Sequence, residues 1–257
     1  MSRVVVTHDD GLATLRLTRA HAGNAIDPEW VADFGEAVGA CAGARAVLIC
    51  ADGPAFTVGG DLKHLAARLD DLDQALREMV PDYHRGLKAL AALPAPVVAA
   101  VQGPIAGGGL GVALCADIVL ITPDTRFVAG FAALGLSGDG GGSWFLPRLV
   151  GPRLAAEMLM LNRALGADEA VARGLATRVV ALEELEAEGH RIARSLADGP
   201  TVALAHMRRL LRESWTASLQ QQLDAETAAM IACGGRADAR EGVDAFASRR
   251  APEFSGE

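Results

Sequence analysis

The chain has 257 residues and a formal net charge of −8, and 51% of its residues are apolar against 22% charged. This composition excludes a disordered chain and argues against general binding to nucleic acid or to an anionic membrane surface. Because the chain shows no signal peptide and no unbroken apolar run of about 18 residues, we expect a cytoplasmic protein without a membrane span.

Strands and helices are predicted to alternate through the first half of the chain. Two β-rich runs around Asp10 and Gly11 predict a hairpin, and Asp27 followed by Pro28 predicts the start of a helix. Residues 61–93 are predicted to be mostly helical, and a further helix is predicted to begin in GGGLGVALCAD. The predicted buried strands are RAVLICADG, PVVAAVQG, DIVLIT and, shorter than these, TRFVAG.

Helical patterns fill the second half of the chain, with one short predicted strand, ATRVVA, among them. The predicted helical segments are FLPRLVGPRLAAEMLMLN, ADEAVARGLA, LEELEAEGHRIARSLA, TVALAHMRRLLRES and TASLQQQLDAETAAMIAC. No Gly/Ser-rich or Pro-rich linker separates the two halves. We therefore predict one α/β catalytic domain, with a core over residues 1–197 and a helical C-terminal extension over residues 198–257.

Two glycine-bearing loops each follow a predicted strand and lead into a helix. One places Gly60 directly before Asp61, and the other contains the run 107–109 with Gly108 at its centre. Free N–H groups at two helix starts can converge on one oxygen and form an oxyanion hole. A phosphate cradle or plain turns are the alternatives, although neither loop has the spacing of a dinucleotide-binding or phosphate-binding motif.

A third loop, LGLSGDGGGSWF, holds the carboxylate of Asp139 among five glycines. The residue is interpreted either as an ordinary turn acid or as an acid that acts on a bound ligand. No nucleophile elbow of the form G-x-S-x-G is present, and neither the six histidines nor the four cysteines show the spacing of a metal site. We therefore predict no bound metal.

Five segments in order resemble motifs of the crotonase family, also called the enoyl-CoA hydratase/isomerase family. They are GNAID, AFTVGGDLKHL, PVVAAVQGPIAGGGLGVALCADIVL, GLSGDGGGSWFLPRLVG and ADEAVARGLATRVV. The resemblance covers nearly the whole chain. It implies an α/β fold, a ClpP-like spiral of ββα units, in which the helical region 198–257 joins subunits into a homotrimer or a dimer of trimers.

The resemblance also implies an acyl-CoA thioester as substrate, with coenzyme A as part of the substrate and no other cofactor. The N–H groups of Gly60 and Gly108 would form the oxyanion hole. The segment from Gly60 through Asp61 and Leu62 to Lys63 would lie along the coenzyme A, with Ala22 near its adenine end.

The sequence departs from the hydratases of this family at both of their catalytic glutamates. The matching positions are Gly111 and Phe131, and neither residue can activate water or deliver a proton. Asp139 is the acid that remains, in a segment similar to that of enoyl-CoA isomerases such as the ring isomerase of phenylacetate breakdown. We therefore predict an acyl-CoA isomerase with Asp139 as its base. Phe131, Leu136 and Trp144 are predicted to form the apolar wall around the acyl group.

Three other functions remain open at this point. Aryl-CoA dehalogenases similar to this chain use an Asp at the matching position as a nucleophile, and their water-activating His matches His84 here. A hydratase-like lyase and a protein that binds acyl-CoA without turnover are the other two alternatives.

Overall fold

Nine strands form two sheets in the computed structural model, which describes residues 2–257. The large sheet has the order β1-β2-β3-β4-β6-β9, and the small sheet has the order β5-β7-β8. The strands are β1 (Val4–Asp9), β2 (Leu12–Leu17), β3 (Ala46–Ala51), β4 (Val97–Val101), β5 (Pro104–Ala106), β6 (Ile118–Ile121), β7 (Arg126–Val128), β8 (Leu165–Gly166) and β9 (Arg178–Val179).

Eleven α-helices accompany the sheets in these residues. They are α1 (Pro28–Ala40), α2 (Leu62–Ala66), α3 (Leu72–Ala92), α4 (Leu110–Leu114), α5 (Gly142–Leu149), α6 (Pro152–Met160), α7 (Ala167–Ala172), α8 (Leu182–Ala197), α9 (Thr201–Glu213), α10 (Leu219–Gly234) and α11 (Ala237–Ala247). None of the helices within residues 2–257 is both long and apolar enough to cross a membrane.

The predicted hairpin and the predicted first helix are both confirmed. Strands β1 and β2 pair antiparallel, and the loop between them holds Asp10 and Gly11 at positive φ angles of 39° and 78°. This backbone matches the strand twist that a two-residue hairpin loop requires. Helix α1 begins after Asp27, whose carboxylate accepts a hydrogen bond from the Trp30 N–H at 2.9 Å.

The continuous apolar runs of β3 and β4 are explained by burial on both faces of the sheet. The two strands pair in parallel, with Leu48 opposite Val98. Alternate side chains along each strand lie on opposite faces of the sheet. Those on one face pack in the core beneath α8, and those on the other face pack in the core shared with α1 and α3. Because β3 and β4 are parallel, their carboxyl ends open at the same edge of the sheet. The segment after β3 leads to the first glycine loop, and the segment after β4 reaches the second one through β5.

Several elements differ in detail from the sequence prediction. The segment 61–93 consists of α2 and α3 with a short 3-10 turn at Leu69–Asp71, and Pro81 lies inside α3. The long helical segment after Trp144 is two helices, α5 and α6, which are separated at Gly151, where φ is +82°. The three-residue strand β5, the two-residue strand β8 and helix α11 were not predicted.

A buried arginine attaches the C-terminal helices to the rest of the chain. Arg208 on α9 is only 6% exposed, pairs with Asp117 at 2.6 Å and donates to the Ala91 carbonyl at 2.9 Å. Burial lowers the pKa of the Arg208 guanidinium, and the charge of Asp117 offsets part of that shift. The contact joins α9 to the end of α3 and the start of β6. That residues 198–257 also join subunits stays a prediction.

Replacing Arg208 by alanine is expected to lower the free energy of unfolding by about 3 kcal/mol, which is the lower end of the range for breaking a buried ion pair. The lower end applies because Arg212 still pairs with Asp117, at 3.2 Å. Urea denaturation measures the change. The exposed neighbour Arg209 serves as control, since Arg209→Ala is expected to shift stability by no more than about 0.5 kcal/mol. Equal effects of the two substitutions would contradict the anchoring role.

Candidate active site

A cavity of about 690 Å³ opens beyond the carboxyl ends of β3 and β4. Its size is that of a small-molecule site. Helices α2 and α3, the two glycine loops and residues 129–139 surround it. Its apolar lining residues are Ile26, Val58, Leu62, Leu65, Leu76, Met79, Val80, Pro81, Ala106, Ala129, Phe131, Leu134 and Leu136. The cavity therefore offers an apolar compartment to a ligand.

The two glycine loops lie side by side at one wall of this cavity. The Ala106 N–H donates to the Thr57 carbonyl at 3.0 Å, and residues 57 and 105 form a parallel bridge. Gly59 has a φ of +85°, and a Cβ at this position would lie 2.7 Å from the Ala106 carbonyl oxygen. Glycine is thus required there by both the backbone angle and the close approach of the other loop.

Gly60 and Gly108 both line the cavity and both offer backbone donors. Within residues 2–257, neither of these two N–H groups donates a hydrogen bond to a backbone carbonyl in a turn, loop or helix cap. Gly108 belongs to the short 3-10 turn Gly107–Gly109, whose first N–H groups have no partner inside the turn. The arrangement can therefore present two N–H groups from neighbouring loops to a ligand oxygen.

Asp139 lies between the second glycine loop and α3. Its Oδ2 would be 3.2 Å from a Cβ placed on Gly108, and its Oδ1 contacts Nε2 of His84 on α3. The Asp139 side chain is 25% exposed and that of His84 is 42% exposed. The structure thus brings together Asp139, Gly108 and His84, three residues that the sequence analysis singled out in three separate segments.

The position of the first missing glutamate is occupied by backbone. A Cβ on Gly111 would lie 2.3 Å from the Gly140 carbonyl oxygen and 2.9 Å from Cδ1 of Leu87. The loop that carries Asp139 therefore packs where a glutamate side chain would begin. Phe131, at the second glutamate position, is one of the residues that line the cavity. The Gly140 backbone therefore leaves no room for a glutamate side chain at position 111, and position 131 carries an apolar residue that cannot handle water.

Trp144 lies outside the cavity, which corrects its predicted place in the apolar wall. It lies on α5 and packs against Trp215, just after α9, with ring centroids 4.7 Å apart. The Arg148 guanidinium lies over the Trp144 ring at 4.5 Å from its centroid. These aromatic and cation–π contacts hold the indole against the segment that follows α9. Phe131 and Leu136, predicted with it, do line the cavity.

The predicted coenzyme A segment is divided by the structure. Leu62 lines the cavity, whereas Ala22 and Lys63 do not. The carboxylate of Asp61 accepts from the Lys63 N–H at the start of α2 and pairs with Arg19 at 2.8 Å. Partial burial raises the pKa of Asp61, but the hydrogen bonds from Arg19 and from the backbone outweigh it, so the pKa lies below its usual value. The Asp61 carboxylate is thus engaged by the start of α2 and by Arg19.

Three of the four cysteines are buried and unreactive. Burial raises the pKa of the Cys41, Cys50 and Cys115 thiols to about 11. These thiols stay protonated near neutral pH, whereas the thiolate is the form that attacks a substrate or binds a metal. Within residues 2–257 no three His, Cys, Asp or Glu side chains lie close enough together to hold a metal ion.

Helix α3 contributes several cavity residues that were not predicted from the sequence, where His84 alone was singled out on this helix. Leu76, Met79, Val80 and Tyr83 line the cavity from this helix. Their spacing of three and four residues marks one helix face, which is the signal that could have found them. Tyr83 is fully buried, and both burial and the charge of Asp139 raise the pKa of its hydroxyl well above the usual value.

The sequence model of the enoyl-CoA hydratase/isomerase family matches residues 7–257. A probable enoyl-CoA hydratase from Rhodobacter capsulatus is 36% identical over 96% of this chain and 95% of its own length. The 1,2-epoxyphenylacetyl-CoA isomerase of Escherichia coli K12 is 33% identical over the full length of both chains. A 4-chlorobenzoyl coenzyme A dehalogenase from an Arthrobacter species is 31% identical over 96% of this chain and 91% of its own.

Similarity of fold agrees with similarity of sequence. The crystal structure of an enoyl-CoA hydratase from Polaromonas sp. JS666 superposes with a TM-score of 0.92 at 31% identity, and the match covers 98% of this chain and 99% of that one. The chain therefore belongs to the enoyl-CoA hydratase/isomerase family, also called the crotonase family, and is an enzyme of that superfamily. The predicted family and fold class are confirmed.

Proposed function

We propose that the protein is an acyl-CoA isomerase that shifts a carbon–carbon double bond, with Asp139 as its single acid–base group. The observation that carries the proposal is the place of the Asp139 carboxylate, beside Gly108, together with the backbone that fills the glutamate position at Gly111. One carboxylate can remove and return a proton, whereas hydration needs groups that also activate water.

In the proposed reaction the thioester oxygen accepts hydrogen bonds from the N–H groups of Gly60 and Gly108. Asp139 removes a proton from C2 of a 3-enoyl-CoA, which is the carbon next to the thioester carbonyl. The electron pair of that C–H bond moves into a dienolate, whose oxygen carries the negative charge that the two N–H groups stabilise. The protonated Asp139 returns the proton two carbons away, at C4, where the C3=C4 electron pair forms the new C–H bond. The C1=C2 pair then becomes the C2=C3 double bond, and the electron pair on the oxygen re-forms the thioester carbonyl.

The apolar lining supports this substrate class. The acyl group would lie against Phe131, Leu136 and the α3 side chains, and the coenzyme A would extend past Leu62. The reaction moves a proton and electron pairs only. The proposal therefore includes no metal or redox cofactor, and coenzyme A enters as part of the substrate.

The test is a panel of 3-enoyl-, 2-enoyl- and aryl-CoA thioesters, assayed for double-bond shift and for hydration. We expect 3-enoyl thioesters to be converted into 2-enoyl thioesters, with the absorbance of the conjugated product as readout, and no hydration above background. Hydration of 2-enoyl-CoA without any double-bond shift would overturn the proposal. So would binding of the whole panel without turnover, which is the outcome expected of a non-catalytic acyl-CoA protein.

The contact between His84 and Asp139 favours one second candidate, hydrolysis through an aspartyl ester. Asp139 would attack an aryl carbon and expel halide, and His84 would remove a proton from the water that cleaves the ester. A single turnover of a 4-halobenzoyl-CoA in H₂¹⁸O separates the two functions. Hydrolysis would place ¹⁸O in the Asp139 carboxylate and release halide, whereas an isomerase releases none.

A further inference from the structure

The side chain of Tyr83 connects α3 to the second glycine loop. Tyr83 is the only tyrosine in the chain and is 2% exposed. Its ring packs against Trp30 and Phe34 of α1, with a centroid separation of 6.1 Å in each case. Its hydroxyl donates a hydrogen bond to the Gly108 carbonyl. Because a buried hydroxyl without a partner is costly, this bond is expected to be maintained throughout the folded state.

The Gly108 carbonyl is also a contact point for the loop of the proposed base. A Cβ placed on Gly140 would lie 2.5 Å from the Gly108 carbonyl oxygen, so the Gly140 backbone packs directly on it. Gly140 follows Asp139 in the chain, and His84, which follows Tyr83, contacts the Asp139 carboxylate. Two consecutive residues of α3 thus contact both halves of the proposed catalytic site.

We propose that Tyr83 is a positioning residue, whose hydroxyl fixes the Gly108 backbone and with it the direction of the Gly108 N–H. Residues 107–109 are three consecutive glycines, which have no side chains to restrict their backbone angles. A hydrogen bond on the Gly108 carbonyl restricts rotation of the peptide group next to the donor that stabilises the dienolate. The inference rests on the proposed function, because the direction of this N–H affects the rate only if it contacts the thioester oxygen.

The test is Tyr83→Phe, which keeps the ring and removes the hydroxyl. We expect kcat for isomerisation of a 3-enoyl-CoA to fall about 10- to 100-fold, as for a small misplacement of a catalytic group, while KM stays nearly unchanged. A bound aryl-acryloyl-CoA that cannot isomerise gives a second readout. Its absorption band moves to longer wavelength when its thioester carbonyl is polarised, and we expect a smaller shift in the variant.

The matched control is Thr125→Val, which removes another buried hydroxyl that donates to a backbone carbonyl, that of Val101 at 3.2 Å. Thr125 lies outside the cavity lining, so kcat and the absorption shift should match the wild type. If Tyr83→Phe also keeps both, even with a lowered melting temperature, the inference is overturned. If the wild type shows the absorption shift and the variant loses it, but neither isomerises any thioester, the proposed function fails and the positioning role stands.

Discussion

Asp139→Asn is expected to lower kcat for isomerisation of a 3-enoyl-CoA by about 10²- to 10⁴-fold, the range for loss of a general acid–base group. The amide has nearly the shape of the carboxylate but cannot accept the substrate proton. It can still fill the space beside Gly108 and interact with His84, so the cavity should keep its form. The affinity for the thioester should therefore change little, and stopped-flow single turnovers should show that the proton-transfer step alone is slowed.

Asp73→Asn is the matched control for this substitution. Asp73 is the other carboxylate that lines the cavity, but its side chain is 79% exposed and pairs with Arg77 at the rim, 3.6 Å away. Its loss should leave kcat within severalfold of the wild type. If Asp139→Asn also kept activity within severalfold, Asp139 would not be the base, and the proton would have to be moved by another group, of which His84 is the nearest.

The fold could be predicted well where burial leaves one solution. The unbroken apolar runs of β3 and β4 indicate strands covered on both faces, and the structure places them at the centre of the large sheet. Helix α11 was missed, and its two large apolar side chains, Val243 and Phe246, are both exposed. It is held by tertiary contacts, among them the Asp238 carboxylate, which accepts from the Ser255 and Gly256 N–H groups at 2.8 and 2.9 Å. Such contacts have no local sequence pattern.

The site was predictable where chemistry marked the residues. Asp139 and His84 were singled out as carriers of acid–base or nucleophilic chemistry, and the structure places them in contact. Trp144 was placed in the wall because it follows Asp139 closely in sequence, but α5 turns it towards Trp215. The helix-face spacing could have placed Tyr83 at the cavity, but its hydrogen bond could not be predicted, because the partner is a backbone carbonyl and leaves no mark in the sequence.

Gly111→Glu is expected to give no hydratase and to damage the isomerase, although it restores a family glutamate. The new Cβ would overlap the Gly140 carbonyl oxygen and Cδ1 of Leu87, as the distances of 2.3 and 2.9 Å show. Relief requires movement of the loop that carries Asp139, and a shift of about 1 Å in a catalytic group can cost about 10²-fold in rate. Overpacking of this kind also lowers stability, by about 1–3 kcal/mol.

The loss should come from the Cβ and not from the added charge, so Gly111→Ala is expected to lose most of the same activity. Gly138→Ala is the control in the loop that carries Asp139, because its new Cβ would contact only Cδ2 of Leu159, at an ordinary van der Waals distance of 3.5 Å. The experiment measures isomerisation, hydration and the melting temperature of the three variants. It tests whether close packing against the Gly140 backbone is the reason that position 111 requires glycine. A Gly111→Glu enzyme that hydrates 2-enoyl-CoA at an undiminished melting temperature would show that the Gly140 backbone yields easily. The missing glutamate would then be the only barrier to hydration at that position.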